Sequence, residues 1–174
     1  SYEYTGGQFF PISIGAQVYF AEGVEQLRTN LTEARPTLMT AVPRLYESMH
    51  ARIVRGVDQA GGLKAKLFRL ALTLGEKKLD ENKRLTFIEK FWDSIVEQLV
   101  RKKVKNTFGG RLKALVSGGA PLNLDIGIFF SALGLRLLQG YGQTESAPII
   151  SANPPEKIKL HSVGPPVANT EVKI

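Results

Sequence analysis

Within five residues, Tyr141-Gly-Gln-Thr-Glu145 offers an aromatic face, a hydroxyl and a carboxylate. Those groups suit a nucleotide: a ring stacks on a base, a hydroxyl donates to a phosphate oxygen, and a carboxylate holds the Mg²⁺ that accompanies polyphosphate. A loop with a buried tyrosine and a solvated glutamate would use the same residues structurally. Upstream, Ser117-Gly-Gly-Ala-Pro121 sets Gly118 and Gly119 side by side. With no Cβ, they let a flat ring or a phosphate approach the backbone, and they permit positive φ. A plain strand-to-helix turn, with Pro121 and Asn123 as helix-start residues, accounts for that pentapeptide equally well. The two together favour a site, because ligands of open parallel sheets bind beyond the carboxyl ends of the strands.

Both turns need strands to carry them. Leu112–Val116 reads as a strand, a helix follows from about Asn123 to Leu133, and Leu135–Gln139 reads as a second strand. Two strands joined by one helix should lie parallel. Earlier, the pattern predicts a strand over Ala16–Phe20, a helix over Val24–Glu33, a buried strand over Thr37–Val42 and a helix from Pro43 to about Arg55. Leu63–Leu79 and Arg84–Val104 carry apolar residues at spacings of three and four, so they read as amphipathic helices. In that stripe Phe87, Phe91 and Trp92 read as core. Thr170–Ile174 reads as a last strand. The fold class is therefore α/β, a partial doubly wound, mainly parallel sheet with flanking helices and an all-helical insertion at about 58–107.

Bulk properties exclude several alternatives. The chain has 174 residues, 43% hydrophobic and 22% charged, enough to bury a core as one domain. It has no cysteine, which removes thiolate catalysis and Cys-ligated zinc or iron–sulfur sites. His50 and His161 lack metal-ligand spacing and read as packing or solvent-facing residues. The longest apolar runs, 9–21 and 126–135, fall short of the roughly 20 residues needed to span a bilayer. The opening Ser1-Tyr-Glu-Tyr4, without an initiator methionine, and the uncapped closing strand predict an internal segment of a longer chain. Twenty-three basic against sixteen acidic residues give a net charge of +7. Between 51 and 105 there are fourteen basic and seven acidic residues, so the excess lies entirely in the helical stretch.

At the level of motifs, the sequence resembles the adenylate-forming acyl-CoA synthetases, most closely the long-chain fatty-acid–CoA ligases. Tyr141-Gly-Gln-Thr-Glu145 is similar to their Tyr-Gly-x-Thr-Glu motif, and Ser117-Gly-Gly-Ala-Pro-Leu122 stands at their usual distance before it. Ser162-Val-Gly164, Pro166 and Glu171-Val-Lys-Ile174 resemble the stretch that follows, and Val42-Pro-Arg-Leu-Tyr-Glu47 and Ser1-Tyr-Glu3 resemble long-chain members. Pro165 and Asn169 depart from the pattern, at a basic residue and a glycine respectively; Asn tolerates left-handed backbone geometry.

The resemblance implies a two-step reaction. A fatty carboxylate attacks the α-phosphate of ATP to give acyl-adenylate and pyrophosphate, and coenzyme A then takes the acyl group. It implies that Tyr141 stacks on adenine, that Gly142 belongs to the nucleotide-binding turn, that Thr144 contacts phosphate and that Glu145 holds Mg²⁺. Thr144 and Glu145 are then the catalytic pair, and Gly118, Gly119 and Ala120 are backbone wall around adenine and the acyl carboxylate. Tyr2, Gly6 and Gly7 fall where the family has acyl-pocket walls. The family's Ser/Thr/Gly-rich phosphate loop and its C-terminal small domain are expected outside this chain, which is therefore expected to be inactive alone. The alternative is a non-catalytic basic helical module for an anionic membrane or nucleic acid, with nucleic acid the less favoured. The expected location is cytoplasmic, with peripheral contact on the inner face of a membrane.

Overall fold

In the computed structural model residues 2–80 and 82–173 are described; Ser1, Glu81 and Ile174, which enter the sequence argument above, lie outside them. Four described strands make one sheet in the order β1-β2-β3-β4: β1 (Leu38–Ala41), β2 (Ala114–Ser117), β3 (Leu137–Gly142) and β4 (Ile149–Ala152). β1 and β2 run parallel with Ala41 opposite Ser117, and β2 and β3 run parallel with Ser117 opposite Gln139, as a strand–helix–strand unit requires. β4 returns antiparallel, with Tyr141 opposite Ser151 and a bulge between Tyr141 and Gly142.

Helices take up most of the remaining chain. A π-helical turn over Glu3–Phe9 continues as a short helix α1 (Phe10–Ser13), and α2 (Leu27–Ala34) leads to β1. Pro43 opens α3 (Pro43–Ala60), where its fixed φ suits the first turn and its missing N–H is no loss. α4 (Gly62–Leu79) follows, then α5 (Phe87–Val96), which passes through a π-helical turn (Glu97–Arg101) into α6 (Lys102–Thr107). The last described helix, α7 (Leu124–Ala132), links β2 to β3 and is capped by the Asn123 side chain, which accepts from the Asp125 amide. Phe129 and Phe130 of α7 meet Phe68 of α4, His50 and Tyr46 of α3 in an aromatic knot beneath the sheet. His50 packs edge-on against Phe129 at 4.3 Å, which fits a packing role.

Sequence patterning misplaced several pieces. Ala16–Phe20 forms no strand and pairs with none of the described strands, and Tyr19 and Phe20 are exposed. Thr170–Lys173 likewise forms no strand. β3 runs on through Tyr141 and Gly142, because the unforeseen β4 pairs with it there. Phe87, Phe91 and Trp92 are exposed by 88%, 62% and 43%, so they are surface rather than core. The reason is Arg101, which is 2% exposed and sits among α4, α5 and α7. Its guanidinium donates to Asp93 at 2.6 Å, to the Ala71 carbonyl at 3.0 Å and to the Ala132 carbonyl at 2.9 Å. Burying that pair turns the Asp93–Val96 side of α5 inward and its aromatic side outward.

Candidate nucleotide site

Gly118 is buried at the end of β2, and the ring that approaches it belongs to the protein itself. A Cβ on Gly118 would lie 2.8 Å from Cε2 of Tyr2, and one on Gly6 would lie 3.6 Å from the same atom. The Tyr2 hydroxyl donates to the Val116 carbonyl at 3.2 Å, and the Tyr46 hydroxyl donates to that carbonyl at 2.9 Å. Burial raises the pKa of both phenols well above the ordinary tyrosine value, with the Glu3 charge adding to it, so both remain donors. Beside them Ser117 is fully buried, and its hydroxyl has no hydrogen-bond partner among the described residues. Gly119 takes φ +84°, the left-handed region expected of a glycine turn, and Ala120 is exposed at its lip.

The second segment is exposed and braced from behind. Tyr141 stands 45% exposed, and its hydroxyl accepts from Gln143 Nε2 at 2.9 Å, so the ring is held by its edge with a face in the open. Thr144 and Glu145 begin a single 3₁₀ turn, Thr144–Ser146, and both are exposed. The chain closes behind them where the Gln143 amide donates to the Pro148 carbonyl at 2.8 Å. Gly142 lies against that same carbonyl, so close that a Cβ would overlap it; glycine is required there for contact rather than for φ.

What positions both segments is a polar network that sequence reasoning missed. Gln139 of β3, opposite Ser117, accepts from the Leu122 amide at 2.9 Å and so ties β3 to the Gly118 turn. Buried Asn153 donates to the carbonyls of Gln139 and Ser162 and accepts from the Lys159 amide at 3.0 Å. Asn169, the departure noted above, adopts φ +62°, the left-handed geometry that asparagine tolerates. Gly7 faces the Glu3 carboxylate rather than a cavity, and Gly6 faces Tyr2 and Ile149.

These elements define an α/β domain whose Gly118 turn and Tyr141 segment lie at the carboxyl ends of neighbouring parallel strands, the edge at which open parallel sheets bind their ligands. The chain belongs to the AMP-binding enzyme family, whose pattern matches residues 1–174. Among its curated relatives, a peroxisomal long-chain acyl-CoA synthetase 6 of Arabidopsis thaliana is 34% identical over 169 residues, covering 96% of this chain and 23% of the relative. Fatty acyl-CoA synthetase A of Dictyostelium discoideum is 31% identical over 163 residues, covering 92% and 23%. The chain thus spans about a quarter of the length of the relatives it matches. In fold it is similar to the crystal structure of the anthranilate-CoA ligase AuaEII in complex with anthranoyl-AMP, with a TM-score of 0.57 and 18% identity over 96% of this chain and 24% of that one. A benzoate-CoA ligase from Burkholderia xenovorans gives a TM-score of 0.52 and 23% identity over 93% and 24%.

Proposed function

We propose that the chain forms part of an ATP-dependent long-chain fatty-acid–CoA ligase and supplies its adenine-binding wall and one catalytic turn. The observation that carries this reading is the register of Ser117 on β2 with Gln139 on β3, which brings the Gly118-Gly119-Ala120 turn and the Tyr141–Glu145 segment to neighbouring strand ends. Tyr141 offers a free ring face for adenine, the backbone of Gly118, Gly119 and Ala120 walls the crevice, and Gly142 holds the turn close. Thr144 contacts phosphate. Attack of a fatty carboxylate on the α-phosphorus, with pyrophosphate leaving, is catalysed chiefly by positioning and charge neutralisation, which these groups serve. Coenzyme A is the acceptor in the second step.

Glu145 fits Mg²⁺ by its donor chemistry. Mg²⁺ keeps several waters and binds through one or two carboxylates plus substrate phosphates, and among the described residues there is no acidic or histidine cluster that would cage a metal alone. Bound there, the ion would neutralise polyphosphate charge. The chain holds no Ser/Thr/Gly-rich loop closed by Pro-Lys, so alone it binds nucleotide without turning over. The reading also places the parent enzyme in the cytoplasm, resting peripherally on an anionic membrane through the basic helices; the outward aromatic face of α5 favours a bilayer over nucleic acid.

Titration with a fluorescent N-methylanthraniloyl ATP tests it. The wild-type chain should bind with Mg²⁺ present, Tyr141→Ala should weaken binding by roughly tenfold or more, the scale of a lost base-stacking contact, and no pyrophosphate should be released with ATP and palmitate. Equal binding by wild type and Tyr141→Ala, or steady pyrophosphate release, would sink the corresponding half of the proposal.

A further inference from the structure

Away from the strand ends, five helical segments, α2, α3, α4, the Glu97–Arg101 turn and α6, line a groove of about 690 Å³, within the ~300–1,000 Å³ typical of small-molecule sites. Its floor is apolar: Leu27 and Leu31 of α2, Ile53 of α3, Phe68 of α4 and Val100 of the π-helical turn. Among the described residues Thr107 is the only uncharged polar side chain that lines it, so a sugar or a base would find few neutral hydrogen-bond partners there. The charged residues at its edge are uneven. Arg28, Lys64 and Lys103 line it, are exposed, and have no ion-pair partner among the described residues. Arg52 is already held by Glu25 at 2.6 Å. Long basic side chains lay their stems on apolar surface and lift their charge to the water, which makes the groove an apolar slot with a cationic mouth.

Gly56 adds a second observation. It sits inside α3, where glycine costs up to ~1 kcal/mol relative to alanine. It lines the groove, and a Cβ built on it would meet nothing within 4 Å. No packing constraint within the described residues demands glycine there; its effect is to leave the groove open.

We propose that this groove binds a single-chain fatty carboxylate, with its alkyl chain on the α2–α3–α4 floor and its carboxylate between Arg28, Lys64 and Lys103. The site is separate from the Gly118 and Tyr141 turns and does not rest on the adenylate reading. Its ligand is set by charge complementarity: apolar length for the floor, and one compact anion for three unpaired cations.

Titrating the chain into [1-¹³C]laurate, kept monomeric, and following the carboxyl resonance tests the proposal. Saturable binding is expected. Gly56→Leu, which fills the slot while improving helix propensity, should abolish binding with the thermal midpoint held or raised. Lys64→Glu/Lys103→Glu should weaken it roughly tenfold, the scale of two exposed ion pairs lost; both lysines are exposed, so this variant keeps the test decisive if Gly56→Leu folds poorly. Tyr141→Ala should bind laurate as wild type, which separates this site from the nucleotide site. Wild-type laurate binding by Gly56→Leu or by the lysine double variant would overturn the proposal. So would loss of binding in Tyr141→Ala, binding seen only to phosphatidylglycerol vesicles and never to monomeric laurate, or sedimentation showing that the groove variants abolish a dimer instead.

Discussion

At Gly118 one absent methyl group decides how three distant parts of the chain meet. The ring of Tyr2 fills the space a Cβ would take, while its hydroxyl and that of Tyr46 share the Val116 carbonyl just before the turn. Gly118→Ala would bring Cβ to 2.8 Å from a ring that its own hydrogen bond holds in place. We expect that substitution to cost about 1–3 kcal/mol, the usual range for overpacking. The cost should fall in a Tyr2→Ala background, where the obstructing ring is gone. Thermal melts of the two single variants and the double variant measure the coupling; additive losses would mean that the ring gives way freely. Gly118, Tyr141, Thr144 and Glu145 stood out as candidates in the sequence because their chemistry is local and compressed into short turns. That Gly118's neighbour is Tyr2 was not, since nothing short-range links the two. The Gln139–Asn153 network was hidden for the same reason: an amide shows its partners only once the strands are paired.

Among the elements, periodicity found β1, β2, α3, α4 and α7 because each carries its own signal, whether a β-branched or leucine-rich run, a first-turn proline or an apolar repeat. It overlooked β4, a four-residue strand that follows Pro148 and exists by pairing with β3, and the Glu3–Phe9 turn, whose two glycines argue against a helix. One start signal was present but unread. Thr86-x-x-Glu89 is a reciprocal capping box: the Thr86 hydroxyl accepts from the Glu89 amide at 3.3 Å, and Glu89 accepts from the Thr86 amide at 2.8 Å. Lys77 of α4 also donates to Glu89 at 2.7 Å, and that bond with the cap holds its pKa at about 2, down from 4.5. For Asp93 and Glu97 burial pushes the other way, but the hydrogen bonds from Lys78, Arg101 and Lys105 prevail and their pKa values also fall. A carboxyl with a depressed folded-state pKa stabilises fully above its unfolded value and loses that contribution as pH drops through the folded one. The α4–α6 helices should therefore weaken between pH 4.5 and about 2. Glu89→Gln should melt lower than wild type at pH 7, with the gap narrowing toward pH 2, as followed by far-ultraviolet circular dichroism. A gap independent of pH would show that the Glu89 charge contributes nothing.

On the scale of the whole molecule, the +7 charge and the misjudged aromatics belong together. Residues 51–105 hold fourteen basic and seven acidic side chains, and the rest of the chain is balanced. Phe87, Ile88, Phe91 and Trp92 of α5 recur at intervals of one, three and four, so they share one side of the helix, and all are exposed. Lys83 and Arg84 precede that helix, and Lys90 lies on it. Hydrophobic spacing alone reads such a stripe as core, because a period reports which residues share a face and not what covers it. The buried Arg101–Asp93 pair on the opposite side decides the orientation. An aromatic face flanked by cations matches the interfacial helices that lie at the headgroup level of anionic bilayers. The chain's sole tryptophan, Trp92, then serves as the reporter. On adding phosphatidylglycerol vesicles at low salt, its emission should shift to the blue and be quenched by brominated acyl chains, and phosphatidylcholine vesicles should produce neither effect. Phe87→Ser/Phe91→Ser should abolish insertion without altering the fold, because both rings are solvent-facing. Lys102→Glu/Lys103→Glu should weaken association at least tenfold, given about 1 kcal/mol per basic residue near an anionic surface. Unchanged vesicle binding by both variants would show that neither the α5 aromatic face nor Lys102 and Lys103 makes the contact, and no binding by the wild type would leave the +7 as a solvated helical surface.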